Sequence, residues 1–290
     1  MADALTMVVT SLLVPPPGSG YRYRGAKWSP DGSRIAFSNN YGDTFIANWA
    51  GTIVLQLGRY GSGSTGQPTW SPSGDRIVCD RFDSSTSQSD LWSISVTDVK
   101  PAVNLTNSPG VTEGGPVWSP KGDLIVYVRT GGIGVMNVDG TNQRVIVAGA
   151  AGQPSWSPDG KKIAFYSASD GDLDIYTIDL ASGNLAKLTD NFEADYYPAW
   201  SPDGKSIAFS SSRAGGMDIY VMNPDGSNPV NITKTADWNE YQAYWSPDST
   251  MLAIEASRSP TRDIFVMNRD GSNPRRLNLG GRFELPDWRP

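Results

Sequence analysis

The sequence of 290 residues contains no histidine and a single cysteine. Without imidazole, the chain lacks the means for Ser–His–Asp triads, Cys–His pairs and histidine-ligated zinc sites. The single cysteine, Cys79, excludes an intrachain disulfide, and its place in the apolar run Ile77–Cys79 is typical of a small buried side chain. The catalytic chemistry that remains open would depend on carboxylate pairs or lysine bases.

The sequence also has no excess of positive charge and no long apolar run. Its formal net charge is −6, whereas sequence-independent binding to nucleic acid needs clustered lysine and arginine. An apolar run of 18 residues is absent, so no transmembrane helix is predicted. The apolar start of the chain carries Asp3 and no basic residue before its apolar run, which is a poor match to a secretion signal. We therefore expect no nucleic acid partner and no membrane insertion, and the compartment stays open.

What the sequence has instead is a repeat. The stretch Tyr196–Ser210 contains Trp–Ser–Pro–Asp–Gly and recurs, with variations, around tryptophans that lie 38 to 48 residues apart. These tryptophans are Trp28, Trp70, Trp118, Trp156, Trp200 and Trp245, and a clipped seventh copy contains Trp288. A period of this length indicates stacked or circular units.

One repeat unit has a clear physical interpretation. The sequence Ser–Pro–Asp–Gly at 201–204 favours a type I turn. The apolar run Ile207–Phe209 is typical of a strand covered on both faces, and Met217–Met222 predicts another strand. A second tight turn, Asn223–Asn228, leads to a more polar fourth strand, Pro229–Thr233. A ring of such four-stranded sheets buries the faces that one sheet leaves exposed, so we predict an all-β propeller with antiparallel blades.

The domain prediction is a single propeller over residues 21–290. Residues 1–20 are predicted to hold an extra strand and a proline-rich connector, and the segment 281–290 is predicted to close the ring, because an open ring exposes a strand edge. Seven inner-strand segments face six complete sets of the other strands. Six blades are predicted, and the alternative is a reduced seventh blade formed by residues 5–14 and 283–288.

Candidate binding residues are those that break the repeat in the loop leading to each inner strand. Five positions before the tryptophan, three repeats carry an acid, namely Glu113, Asp195 and Glu240. In propellers these loops surround one mouth of the central channel, so we expect a negative ring there. The aromatic candidates nearby are Tyr23, Tyr196, Tyr197, Trp238, Tyr241 and Phe283. Tyrosine and tryptophan beside charges suit recognition of a peptide or a sugar. No catalytic residue is predicted.

Two recurring acidic patterns are interpreted as structural. Aspartates that precede the third strand are expected to accept hydrogen bonds from backbone N–H groups, and they are Asp43, Asp90, Asp174, Asp218 and Asp263. The Asn-x-Asp-Gly loops at 137–142, 223–228 and 268–273 superficially resemble calcium loops but lack the downstream bidentate glutamate. Since a tight hairpin turn also demands glycine there, we interpret them as turns. No cofactor is expected, and calcium held by acids is the one alternative.

The repeat resembles that of TolB-type β-propellers. The resemblance lies in Trp–Ser–Pro–Asp–Gly–x–x–Ile–Ala–Phe, then Asp–Ile–Tyr–Val–Met–Asn–x–Asp–Gly–Ser, then Leu–Thr, and it covers about residues 21–290. It implies a six-bladed ring, often periplasmic or extracellular, that binds proteins at the mouth of its channel. The α/β domain that precedes the propeller in TolB is not among these residues. Two enzyme groups share similar repeats: prolyl-oligopeptidase-like enzymes, which add a hydrolase domain, and oligogalacturonate-lyase-like propellers, which rely on channel histidines.

From the sequence we therefore expect a non-enzymatic scaffold that binds a protein or peptide, with a monomer favoured. The first alternative is a carbohydrate-binding or carbohydrate-active propeller that uses the same acids and aromatics. The second is a structural or engineered propeller without a ligand.

Overall fold

The structure is a computed structural model, and it describes residues 23–39, 43–48, 50, 52–59, 66–98, 100–259, 261–277 and 287–290. The side chains of residues 23, 24, 54 and 57–59 are outside this description. Within the described ranges the chain forms 24 strands and no helix, and hence no helix that could span a membrane. The predicted extra strand and connector of residues 1–20 lie outside the described residues. Only residues 287–290 of the predicted closing segment are described.

Each blade takes four consecutive strands. Blade 1 contains β1 (Tyr23–Trp28), β2 (Arg34–Asn39), β3 (Asp43–Asn48) and β4 (Ile53–Arg59). Blade 2 contains β5 (Thr69–Trp70), β6 (Arg76–Asp83), β7 (Gln88–Ser95) and β8 (Val103–Asn104). Blade 3 contains β9 (Glu113–Trp118), β10 (Leu124–Arg129), β11 (Gly132–Asn137) and β12 (Arg144–Ala148). Blade 4 contains β13 (Ala151–Trp156), β14 (Lys162–Ser167), β15 (Asp174–Asp179) and β16 (Leu185–Lys187). Blade 5 contains β17 (Asp195–Trp200), β18 (Ile207–Ser211), β19 (Asp218–Met222) and β20 (Val230–Asn231). Blade 6 contains β21 (Asn239–Trp245), β22 (Met251–Arg258), β23 (Thr261–Asn268) and β24 (Arg275–Arg276).

The strands of every blade pair antiparallel in chain order, which confirms the predicted all-β propeller with six four-stranded blades. The Ser–Pro–Asp–Gly segments form the turn between the first two strands. In blade 5, the Gly204 N–H donates to the Ser201 carbonyl at 2.9 Å, and the Ser201 hydroxyl donates to Asp203. The positive φ of Gly204, +70°, explains why glycine ends this turn. Local turn chemistry therefore positions each inner strand against its neighbour.

Apolar side chains are buried between successive blades. Ile207, Ala208 and Phe209 have no exposed surface. Ile207 and Phe209 pack in a cluster with Ile175 of blade 4, whereas Ala208 packs in a cluster with Leu252 of blade 6. The strand is therefore covered on both faces, as its unbroken apolar run predicts.

The repeat tryptophans of blades 2, 4 and 6 tie their blades to the preceding ones. The indole N–H of Trp70 donates to the Lys27 carbonyl at 2.9 Å, across the boundary between blades 1 and 2. The same bond joins Trp245 to the Ala199 carbonyl at 3.0 Å, and a third joins blades 3 and 4. In each case the acceptor is the residue immediately before the tryptophan of the preceding blade. These three indoles thus find their hydrogen-bond partners in the neighbouring sheet, whereas the buried indole nitrogens of Trp118 and Trp200 have none among the described residues.

Four of the five recurring aspartates, in blades 2, 4, 5 and 6, bond to side chains in or just after the fourth strand, whereas the sequence predicted backbone partners. Asp43 instead accepts from the Asn39 amide at the end of the second strand at 2.8 Å. Asp218 accepts from the Asn231 amide at 3.0 Å and from the Thr233 hydroxyl at 3.1 Å. The Thr233 hydroxyl in turn accepts from the Ile219 N–H at 3.0 Å. One backbone donor, the N–H of Thr235, also reaches Asp218 at 3.3 Å. The aspartate therefore holds the outer strand to the rest of its blade.

Candidate functional site

The three acids expected at the channel mouth are buried instead. Glu113, Asp195 and Glu240 expose 2% or less of their surface. Each is the first or second residue of an inner strand. The expected negative ring of exposed carboxylates therefore does not form, and these acids serve contacts between and within blades.

Glu240 has the most perturbed environment of the three. The Thr235 hydroxyl donates to its Oε1 at 2.8 Å, whereas Oε2 is buried and has no hydrogen-bond partner. Burial and, to a smaller extent, the nearby Asp218 carboxylate raise the pKa of Glu240 to about 7, while hydrogen bonds from Thr235 and Thr233 oppose the shift. Burial likewise raises the pKa of Glu113. Charge is thus disfavoured at two of the three positions.

Asp195 is neutralised by an ion pair. A guanidinium nitrogen of Arg213 lies 2.8 Å from its Oδ2, and the Asn191 amide donates to the same oxygen at 2.8 Å. The Arg213 guanidinium also lies 4.8 Å from the ring centre of Tyr220. This arrangement fixes the start of the inner strand of blade 5 to the turn that follows its second strand, and it compensates the negative charge of Asp195.

An open cavity of about 370 Å³ is lined by the inner strands of blades 3 to 6 and by residues 287–288. Its lining includes tryptophans of the repeat, and its other polar side chains are Gln153, Ser155, Tyr197, Gln242, Tyr244 and Asp287. The one carboxylate among them, Asp287, is paired with the Lys27 ammonium at 3.3 Å. The cavity is within the size range of small-ligand sites, and amide and phenol groups dominate its polar lining.

Two cavity residues hold a backbone conformation that L-amino acids rarely adopt. Gln153 and Tyr197 both have φ of 52°, each at a bulge three residues before the tryptophan of its blade. Glycine fills the same position in blades 1 and 3, as Gly25 and Gly115, also with positive φ. A side chain there costs about 1–2 kcal/mol relative to glycine. Such side chains occur in turns as well as at ligand sites, but of the nine described non-glycine residues with positive φ only these two line the cavity, so they are site candidates.

Sequence reasoning took Tyr197 as a candidate but missed Gln153 and Gln242. The signal was present: aligned on the tryptophan, the position three before it is glycine in two repeats and a side chain in others. The sequence-based site prediction instead used the position five residues before the tryptophan, because three repeats carry an acid there.

The structure brings some of the aromatic candidates together and separates others. The rings of Tyr196 and Tyr197 lie 6.0 Å apart, and Tyr166 meets Tyr196 edge-on at 5.5 Å. Trp238 instead packs on the outer part of blade 6, with its ring 5.3 Å from that of Phe265. Tyr241 is 36% exposed and lies near the start of β21. The side chain of Tyr23 and all of Phe283 lie outside the described residues.

Among the described residues, acids with metal-ligand spacing occur at Asp170, Asp172 and Asp174. The Lys187 ammonium bridges two of them, bonding Asp174 at 2.9 Å and also Asp170. These neighbours raise the pKa of Lys187, so a permanent cation already occupies this cluster. In the loop 223–228, Asp225 accepts hydrogen bonds from Ser227 within its own turn, which supports the interpretation as a turn.

The comparisons with known proteins agree with this architecture. A family model described as TolB beta propeller domain matches residues 133–290, just over half of the chain. A structure described as TolB from Agrobacterium tumefaciens is 24% identical, with 78% of this chain and 83% of that chain covered and a TM-score of 0.64. TolB from Acinetobacter baumannii is 20% identical, with coverages of 89% and 68% and a TM-score of 0.59. A puromycin-hydrolyzing peptidase from Mycobacterium tuberculosis is 17% identical, with coverages of 89% and 47% and a TM-score of 0.70. No curated protein gives a significant match.

Proposed function

Because the chain belongs to the TolB β-propeller family, we propose that it is a non-enzymatic scaffold that binds a peptide or protein segment at its channel. The observation that carries this proposal is the strained pair Gln153 and Tyr197 at the cavity. A fold keeps side chains in a left-handed conformation where their directions matter.

The chemistry of the lining favours a neutral, amide-rich ligand. The amides of Gln153 and Gln242 each offer donors and an acceptor, which match the N–H and C=O groups of an extended peptide. Tyr197 supplies a rigid ring at low conformational cost. Since Asp287 is paired with Lys27, a charged ligand group would gain little from the described lining.

Catalysis has weaker support. Glu113 and Glu240 are buried, and Asp195 is held in an ion pair with Arg213. The peptidase among the similar structures is about twice as long as the part that this chain covers. Amides and phenols are also common in sugar sites, so a carbohydrate ligand is the competing outcome.

Replacing Tyr197 by glycine separates binding from stability. Tyr197→Gly removes the ring but permits the observed φ of 52°, so the free energy of unfolding is expected to stay unchanged or to rise. Selection from a phage-displayed library of random peptides on the unmodified protein supplies the probe. We expect the variant to bind the selected peptides at least about tenfold more weakly, as for a central tyrosine of an interface. Isothermal titration calorimetry measures both affinities.

The matched control is Val230→Ala, an exposed side chain on the outer strand of blade 5, which should leave the affinity unchanged. A glycan array run in parallel distinguishes the alternative. The peptide proposal would be rejected in favour of a sugar ligand by two results together: no peptide is selected, and the glycan array gives a signal that Tyr197→Gly loses. Peptides that bind Tyr197→Gly as tightly as the unmodified protein would reject the channel as the site.

A further inference from the structure

Three side chains of the cavity occupy the same position in three successive repeats. Gln153, Tyr197 and Gln242 each stand three residues before the tryptophan of their blade, in blades 4, 5 and 6. All three line the cavity. Neighbouring blades thus contribute one equivalent position each to the same wall of the channel, and we call these three residues the polar arc.

The strand pairing places the members of the polar arc at nearly the same depth. In blades 4 and 5, the bulge that contains Gln153 or Tyr197 lies between the residues that pair with positions eight and ten after the tryptophan. In blade 6, Gln242 pairs with Glu255, which is position ten after Trp245. Because one strand residue spans about 3.3 Å, the three side chains start within roughly that distance of one another along their strands.

The polar groups of the arc are not used by the fold. The side chains of Gln153, Tyr197 and Gln242 make no hydrogen bond to other described residues, and none of the three is buried. Gln143 of blade 3 shows the contrast, because its amide donates to two backbone carbonyls at 2.9 and 3.0 Å. The arc therefore presents two amides and one phenol that are free to bond a ligand.

The lining of the cavity disfavours a charged ligand group at the arc. None of the described residues that line it is a lysine or an arginine, so an anion would lose its hydration without gaining a cationic partner. A cation would find only Asp287, which is already paired with the Lys27 ammonium at 3.3 Å. The ligand group that meets the arc is therefore neutral.

An apolar ligand group is disfavoured as well. It would remove water from the amides and the phenol without replacing the lost hydrogen bonds, which is costly for each group left unpaired. A glutamine amide offers donors and an acceptor, and its best neutral counterpart offers the same pair. A trans peptide group holds its N–H and C=O on opposite sides, whereas a primary carboxamide holds both at one end. The side chains of asparagine and glutamine meet this requirement.

We propose that the peptide bound in the channel inserts the carboxamide of an asparagine or glutamine side chain into the polar arc. The carboxamide has two N–H donors and two acceptor lone pairs, which are sufficient for the amides of Gln153 and Gln242 and for the hydroxyl of Tyr197. This inference rests on the proposed function, because it names the group by which a bound peptide is recognised.

A set of peptide libraries tests the proposal. Each library fixes the central residue of a nonapeptide as asparagine, glutamine, aspartate, glutamate or leucine, and it randomises the flanking residues. Aspartate and leucine are close in shape to asparagine, so they change the chemistry of the central side chain with little change in its size. The asparagine or the glutamine library should be retained by the immobilised protein at least about tenfold more strongly than the other three.

A pair of matched variants connects this preference to the polar arc. Gln153→Glu replaces an amide of the arc by a carboxylate that has no donor, so it should weaken the binding of the best carboxamide peptide at least about tenfold. Gln67→Glu makes the same change at the same repeat position in blade 2, and Gln67 does not line the cavity. The control should leave the affinity unchanged. Thermal denaturation of both variants checks that they remain folded.

The outcomes separate this inference from the proposed function. Peptides that bind the unmodified protein and are lost in Tyr197→Gly, but show no preference for a central carboxamide, would overturn the inference and leave the proposed function standing. Equal affinities for Gln153→Glu and Gln67→Glu would also overturn it. No binding by any library would reject the proposed function and the inference together.

Discussion

Glu240→Gln is expected to reduce the loss of stability that accompanies a rise in pH from about 4.5 to 7. The pKa of this carboxyl rises from 4.5 to about 7 in the folded protein. Over that window the native state holds a proton that the unfolded state has released, so stability falls as the pH rises and is lowest above the folded pKa. The unmodified protein should lose on the order of 1–3 kcal/mol between pH 5 and pH 8.

The variant should be the more stable protein at pH 8, because glutamine can still accept from Thr235 and carries no buried charge beside Asp218. Urea denaturation at the two pH values measures the effect. Glu193→Gln is the control. Glu193 is exposed, so this substitution should leave the change of unfolding free energy with pH unaltered. If the free energy of unfolding changes equally with pH in Glu240→Gln and in the unmodified protein, the carboxylate is solvated in the folded state.

Gly226→Ala is expected to destabilise the protein more than Gly183→Ala, although both glycines have positive φ in a turn between the third and fourth strands. An added Cβ at Gly226 would lie 2.6 Å from the Leu188 carbonyl oxygen of blade 4, whereas Gly183 has nothing within 4 Å. Gly183→Ala should cost about 1–2 kcal/mol through its backbone alone. Gly226→Ala should cost about 1–3 kcal/mol more, because two blades must separate locally.

Chemical denaturation of the two variants measures the difference. The same contact occurs at Gly140 and Gly271, which face backbone atoms of Leu105 and Ile232 in the preceding blades. Gly271→Ala should therefore behave like Gly226→Ala. Equal losses for Gly183→Ala and Gly226→Ala would mean that these turns tolerate movement and do not fasten one blade to the next.

Much of the fold could be predicted because its determinants are local. The Ser–Pro–Asp–Gly turn at 201–204 and the strand Ile207–Ser211 follow from turn chemistry and an unbroken apolar run, and both are confirmed. The blade number followed from counting complete sets of strands. The seventh inner segment was visible as Trp288, although its contacts with Tyr244 and Trp28 were not.

The candidate site was less predictable, because a position in a loop does not reveal what the next sheet covers. Glu240 and Tyr197 both stand near the start of an inner strand, yet the first is buried and the second lines the cavity. The bulge between Tyr196 and Ala199 makes this difference, since one extra residue redirects the side chains that follow. A bulge depends on pairing between strands, so it cannot be predicted from the sequence of one strand alone.

The amino-acid sequence by itself determined the repeat, the four-stranded unit and the turns of this protein, since those features depend on neighbours along the chain. Only the tertiary structure decided that Glu113, Asp195 and Glu240 are buried, and that Gln153 and Tyr197 line a cavity. The physical reason is that desolvation and cavity lining arise between blades. There, groups more than 40 residues apart in the chain come within hydrogen-bond distance, as the Trp245 indole and the Ala199 carbonyl do.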